Sequence, residues 1–164
     1  MNTMKTFKFS FVFAAVAVFA GGLTSAQSPS KSSVSKYDSE LAKRLGGDKY
    51  GMKKFVLAIL KTGPNDASVT GKERADVFKG HIANIQRLAG EGKLAVAGPL
   101  GENTNGFRGI FVFNVATVEE AKTFTETDPV VKAGVMTVDY FPWYASAALT
   151  EVNKIHEKIA LETH

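Results

Sequence analysis

An α+β fold with a four-stranded antiparallel sheet, in the order β-α-β-β-α-β of the split, ferredoxin-like arrangement, is what this sequence predicts. Three observations carry it. Short apolar runs bounded by turn residues, at positions 55–60, 94–97, 106–115 and 135–141, read as strands. Two stretches with apolar residues at helical spacing, 72–90 and 117–124, stand between the first and second strands and between the third and fourth. No repeat of about 20–50 residues is visible, so solenoids and propellers drop out.

Each element has a local reason. In residues 38–45 (DSELAKRL), Asp38 or Ser39 can cap a short helix, Leu41 and Leu45 are spaced i, i+4, and Gly46-Gly47 ends it. Residues 55–60 (FVLAIL), flanked by lysines and closed by Thr62-Gly63-Pro64-Asn65, predict a buried strand ending in a turn. In the helix over 72–90, Phe78, Ile82, Ile85 and Leu88/Ala89 form the expected apolar stripe, with Gly90 and Gly92 at its end. Residues 94–97 make a short strand running into Gly98-Pro99, and 106–115 (GFRGIFVFNV) a strand apolar on both faces over its second half. Thr117-Val118-Glu119-Glu120 is a capping box that opens the second core helix. Asp128-Pro129 interrupts that helix, and 130–134 adds one more turn. The last strand covers 135–141 and ends at Pro142-Trp143-Tyr144; residues 146–161 predict a C-terminal helix.

With both core helices on one side, the other sheet face is left uncovered. Phe107, Phe111 and Phe113 share one face of the third strand, and Ile110 and Val112 the other, so neither suits water. A second copy of the chain is the expected cover, in a two-fold homodimer.

The 164 residues suffice for one domain of ordinary size, and 45% apolar with 22% charged residues excludes wholesale disorder. The absence of cysteine removes disulfide scaffolds, thiolate zinc sites, cysteine nucleophiles and iron–sulfur ligation. A net charge of +4, spread along the chain, is a poor footprint for nucleic acid, and none is expected as a partner. Residues 1–8 carry Lys5 and Lys8 and no acid, 9–20 are apolar except Ser10, and 21–26 are small, the layout of a secretory signal peptide cut after Ala26. A membrane anchor is the competing reading, but an apolar helix of about 12 residues spans only about 18 Å of a roughly 30 Å hydrocarbon core. Cleavage lowers the net charge from +4 to +2 and leaves no stable membrane anchor. An exported chain without cysteine suits a bacterial periplasm or the extracellular space. The expected organisation is a signal peptide over 1–26, linker and short helix over 27–51, core domain over 52–145 and C-terminal helix over 146–164.

Two residues stand out as candidates for chemistry. His81 lies three after Phe78 and four before Ile85, at the border of the apolar stripe. Spacing admits two readings: a general base near neutral pH, or a helix-flank histidine bonded to a backbone carbonyl. Asp128, before Pro129, is pushed out of helical geometry, so its carboxylate is free to turn toward the sheet; a plain turn or capping aspartate is the alternative. Asp139 is a rival acid, alternating with Thr137 and Phe141 on the last strand, or else sits on an exposed edge. Arg74, two turns before His81 on the same helix face, and Arg108 on the third strand are candidates to hold an anionic substrate, or simply face solvent. Gly98 and Pro99 end a strand without bulk, which lets a ligand approach the backbone or marks an ordinary turn. Trp143 is a packing residue or a stacking platform, and no role falls to His156 or His164. No P-loop, H-E-x-x-H or nucleophile elbow occurs, and three scattered histidines argue against a dedicated metal site.

Taken together, residues 56–65 (VLAILKTGPN), 81–88 (HIANIQRL), 91–100 (EGKLAVAGPL), 119–124 (EEAKTF) and 128–135 (DPVVKAGV) resemble the YCII-related (YciI-like) domain of the dimeric α+β barrel superfamily. The resemblance spans about residues 52–144. It implies a homodimer with sheets packed face to face and a cleft between helix and sheet in each subunit. It also implies that His81 and Asp128 match the family's His–Asp pair, the acid orienting the imidazole and stabilising its protonated form. The function this implies is cofactor-independent proton transfer on a small organic molecule, of lyase, isomerase or dehalogenation type. A non-catalytic ligand-binding or structural homodimer is the competing expectation. Haem binding, known in distant relatives, would have only His81 or His156 as an axial ligand.

Overall fold

The structure, a computed structural model, describes residues 37–162. The expected signal peptide, the linker through residue 36 and His164 lie outside the described residues.

The chain opens with α1 (Ser39–Leu45), where Asp38 accepts a hydrogen bond from Leu41 N and Gly46, at φ 71°, closes the last turn. Then follow β1 (Met52–Thr62), α2 (Gly71–Gly90), β2 (Leu94–Pro99), β3 (Phe107–Phe113), α3 (Val118–Thr125), the single turn α4 (Pro129–Lys132) and β4 (Met136–Ser146). A 3₁₀ segment (Ala147–Glu151) and α5 (Val152–Ile159) end the described chain. The sheet is antiparallel throughout, in the order β2-β3-β1-β4. This is the predicted βαββαβ fold, with β1 and β3 at its centre.

The helix-side core joins Val56, Ala58 and Leu60 of β1 to Leu94, Phe111 and Phe113, beneath Leu88, Ala121 and Val130. Burial of these side chains, at roughly 1.5–3 kcal/mol each, is the main term holding α2 to the sheet. On the other face a smaller cluster of Phe55, Ala95, Val112 and Ala145 takes Leu149 from the 3₁₀ segment.

Four expectations need correction. The stripe of α2 is turned: Ile82 is 38% exposed, whereas His81, Asn84 and Leu88 are buried. Counting only apolar residues drew the predicted stripe toward Ile82 and away from the polar pair that faces the sheet. The last strand does not stop at Phe141 but continues through Pro142, Trp143 and Tyr144 to Ser146, pairing with β1 as far as Met52. Proline fits because β4 is an edge strand, with one side free of ladder partners. The C-terminal helix starts with a 3₁₀ turn rather than an α-helical one. Finally, the second sheet face is not bare along its whole length. Leu149 covers one end, while Phe141 and Trp143 stay exposed at the other.

Candidate active site

His81 is the buried member of the α2 face that meets β3. Its ring stacks on Phe111 (centroids 5.9 Å apart, planes at 28°) and meets Phe78 edge-on (6.2 Å, 78°). Two aromatic walls fix the plane of the imidazole, and that plane aims Nδ1 at α4.

Asp128 is brought there by local chain chemistry. Preceding Pro129, it holds extended geometry (φ −79°, ψ 124°) and serves as N-cap of α4, its Oδ1 accepting from Val130 N at 3.1 Å. Its side chain is 0% exposed. His81 Nδ1 lies 3.0 Å from Oδ1 and 2.8 Å from Oδ2. The capping and partner readings of Asp128 are therefore both satisfied by one carboxylate. Since a carboxylate accepts, Nδ1 donates, and the ring nitrogen left for a ligand is Nε2.

Asn84, one turn beyond His81, completes the pair's surroundings. Its Nδ2 reaches Asp128 Oδ2 at 3.4 Å, while its Oδ1 accepts from Arg87 Nη2 (2.8 Å) and Thr127 Oγ1 (3.0 Å). Those two donors determine which way the amide faces. Sequence reasoning missed Asn84 and Thr127. The available signal was Asn84's i+3 spacing from His81, which puts both on one helix face. Gly80 was missed too: a Cβ there would come within 2.8 Å of Pro129 Cγ, so only glycine lets α2 lie this close to α4.

Arg74 and Arg108 are brought together on the carboxylate of Asp66, a loop residue with no periodicity to mark it. Asp66 accepts from Arg74 Nη2 at 2.8 Å and from Arg108 Nη1 at 3.3 Å. Hydrogen bonding to Arg74 holds the Asp66 carboxyl below its ordinary range, against the opposing pull of desolvation. The Arg74 guanidinium also lies 5.0 Å over the Phe78 ring, which meets the His81 ring nearly at a right angle, so Phe78 touches both the arginine cluster and the dyad. Gly98 and Pro99 lie on edge strand β2 opposite Ile110 and Gly109, with no described hydrogen bond or ring contact to the dyad. Toward β3 their backbone is close, a Cβ on Gly109 meeting Gly98 O at 2.9 Å, whereas a Cβ on Gly98 itself would meet nothing within 4 Å. Asp139 pairs with Lys61 (2.6 Å) on the sheet face opposite His81, which removes it as a rival partner. Trp143 tilts against Phe55 at 6.5 Å, as a packing residue, while His156 is exposed on α5.

Clefts of about 480 and 240 Å³ open on the described surface away from the pair, lined by neither His81 nor Asp128. The geometry of the buried pair, rather than cleft size, marks the candidate site. Among the described residues no three His, Asp or Glu side chains gather as metal ligands, and no helix is long and apolar enough to cross a membrane.

The YCII-related domain model matches residues 55–144, more than half of the chain, and contains His81, Asp128, Arg74 and Arg108. No curated protein matches the chain. Among solved structures it is similar to 5-chloro-2-hydroxyhydroquinone dehydrochlorinase (TftG) from Burkholderia phenoliruptrix AC1100, in complex with 2,5-dihydroxybenzoquinone. The two share 26% identity over 54% of this chain and 92% of that one, with a TM-score of 0.42.

Proposed function

The chain belongs to the YCII-related domain family, and from that membership and its own buried histidine–aspartate pair we propose a cofactor-independent enzyme that moves a proton on a small organic substrate. The observation that carries the reading is a carboxylate with no solvent exposure whose two oxygens both lie within 3.0 Å of one imidazole nitrogen. Isolating an ionised carboxylate from water is expensive, and an imidazole that can become a cation at the moment of reaction offsets it.

In this mechanism Nε2 of His81 takes a proton from the substrate while Asp128 keeps Nδ1–H and stabilises the imidazolium. The electron pair left on the substrate has two outlets. It expels a leaving group from the neighbouring atom, as in a lyase or dehalogenation-type elimination, or it recaptures the proton at another atom, as in an isomerase. Arg74 and Arg108 hold an anionic group of the substrate beyond Phe78, and Gly98 and Pro99 admit it to the backbone of β2. The working unit is a homodimer in which a second copy covers the exposed end of the sheet face, acting in the periplasm or outside the cell.

One observation favours the second reading, a binding or structural homodimer without turnover: the clefts of about 480 and 240 Å³ both lie away from the dyad. Incubation in D₂O with a panel of small carbonyl and halogenated compounds separates the two. Deuterium incorporation or halide release that disappears in His81→Ala and in Asp128→Asn, with the dimer intact, supports the enzyme. Turnover indifferent to both substitutions overturns the role of the dyad, and none across the panel leaves the second reading.

A further inference from the structure

Arg74 and Arg108 share Asp66, but they are held differently. Arg74 is committed on every side. Its Nη1 donates to Asp66 O at 2.8 Å and to Val69 O at 3.3 Å, its Nη2 donates to Asp66 Oδ1 at 2.8 Å, and its guanidinium lies over Phe78. It clasps the loop that leads into α2. Among the described residues Arg108 makes a single side-chain hydrogen bond, from Nη1 to Asp66 Oδ2 at 3.3 Å, and its side chain stays 32% exposed. Most of its donor fork is open to a ligand.

Alternation along β3 does not dictate this placing. Phe111 faces α2, so a regular strand would turn Gly109 the same way and Arg108 to the far side of the sheet. Instead Gly109 lies opposite Leu60 of β1 and Phe107 opposite the next residue, Lys61, which makes Arg108 the extra residue of a β-bulge. Bulges re-aim side chains, and this one delivers a guanidinium to the loop ahead of α2. From there contacts continue through Arg74 and Phe78 to His81. Two guanidinium groups thus share one carboxylate. No other acid lies within ion-pairing range of either among the described residues, so one positive charge is left over.

We propose that Asp66 is a built-in stand-in for the substrate's anionic group: a small organic monocarboxylate displaces it from Arg108 and pairs with that guanidinium, while Arg74 keeps Asp66 and its loop in place. The proposal rests on the enzyme reading above and narrows its substrates to carboxylates. A free carboxylate can meet the planar fork of arginine with two parallel N–H···O bonds, which the lone 3.3 Å contact to Asp66 does not achieve. One surplus charge matches a monoanion better than a phosphate-type dianion. Arg108 then tells an acid from its neutral isostere, and Asp66 sets how tightly the acid is held.

Benzoate is the probe, titrated into the full chain beside benzamide and phenylphosphonate while NMR follows the Nε–H resonances of both arginines. The expected result is saturable benzoate binding that shifts the Arg108 signal far more than that of Arg74. Benzamide should bind more weakly by about tenfold or more, and phenylphosphonate more weakly than benzoate. Arg108→Gln should abolish the preference for benzoate over benzamide. Asp66→Asn should tighten benzoate by about threefold or more, because the competing charge is gone; a purely structural Asp66 would give no such gain. Binding of this pattern supports the site whether or not turnover is found, so a failure of the dyad's chemistry is told apart from a failure here. No saturable benzoate binding at tens of millimolar overturns the proposal. So does benzamide or phenylphosphonate binding as tightly as benzoate, a preference that survives Arg108→Gln, or benzoate affinity not raised by Asp66→Asn in a chain that still melts cooperatively.

Discussion

Gly80 and Pro129 pack so closely that a Cβ added to the glycine would sit 2.8 Å from the proline Cγ and 3.4 Å from its Cβ. Each is the sequence neighbour of one member of the dyad. The distance between His81 and Asp128 is therefore governed by a contact that neither residue makes. Gly80→Ala should push α2 off α4 and stretch the 2.8 Å bond, lowering stability by about 1–3 kcal/mol. Thermal melts and turnover should both fall, although both dyad residues remain. Adding Pro129→Ala removes the Cγ and should recover part of each loss; a Gly80→Ala chain as stable and active as wild type contradicts the contact's role.

Asp128→Asn keeps the shape and removes the charge. In the wild type the carboxylate holds the neutral ring in the Nδ1–H form; the carboxamide can accept or donate, so the other tautomer should gain population. Nitrogen-15 shifts of the His81 ring report this directly. Stability should drop by about 1–3 kcal/mol, since a buried charge-assisted bond and the cap on Val130 both weaken. Unchanged ring shifts would show that Asp128 does not control the imidazole.

Asp66 supplies an acid-side signature. Hydrogen bonding to Arg74 depresses its folded-state pKa below the unfolded carboxylate value of about 3.9. A depressed carboxylate contributes stability that is present above the unfolded value and is lost as pH falls through the folded one. Urea unfolding of wild type and Asp66→Asn across acidic pH should give curves that differ most near neutrality and converge in acid. A gap that stays constant with pH would mean that the arginine cluster contributes nothing through charge.

Phe141, 46% exposed, belongs to the sheet face that the proposed homodimer would cover. Light scattering of the wild type at tens of micromolar should give twice the monomer mass, and Phe141→Asp should shift the population toward monomer by burying an unpaired charge at the interface. A wild-type monomer at that concentration removes the face-to-face assembly.

The sequence disclosed whatever depends on local chemistry. The caps at Asp38 and Thr117 and the break at Asp128-Pro129 each state their geometry in neighbouring residues and stand in the fold, although Glu120 reaches back to the Thr117 hydroxyl rather than to its backbone N–H. The pairing of His81 with Asp128 came from a family resemblance, not from spacing, because nothing local relates two positions 47 residues apart. Helix phase misled where the buried face is polar: Ile82 outweighs Asn84 on any hydrophobic scale, yet Asn84 is inside because Asp128, Arg87 and Thr127 satisfy it. The role of Asp66 was illegible for a different reason. It lies in a loop with no periodicity, and its two arginines arrive from α2 and β3.

The aromatic seat under His81 has a temporal meaning. Phe111 comes from β3 and Asp128 from the turn after α3, so the histidine on α2 waits for two later elements before it has a floor and for three before it has a partner. Contacts of such long sequence separation close late in folding, after loop entropy has been overcome. A nascent, truncated or half-unfolded copy carries an ordinary imidazole on a solvated helix. The paired, walled-in imidazole is thus a property the chain acquires only on completion.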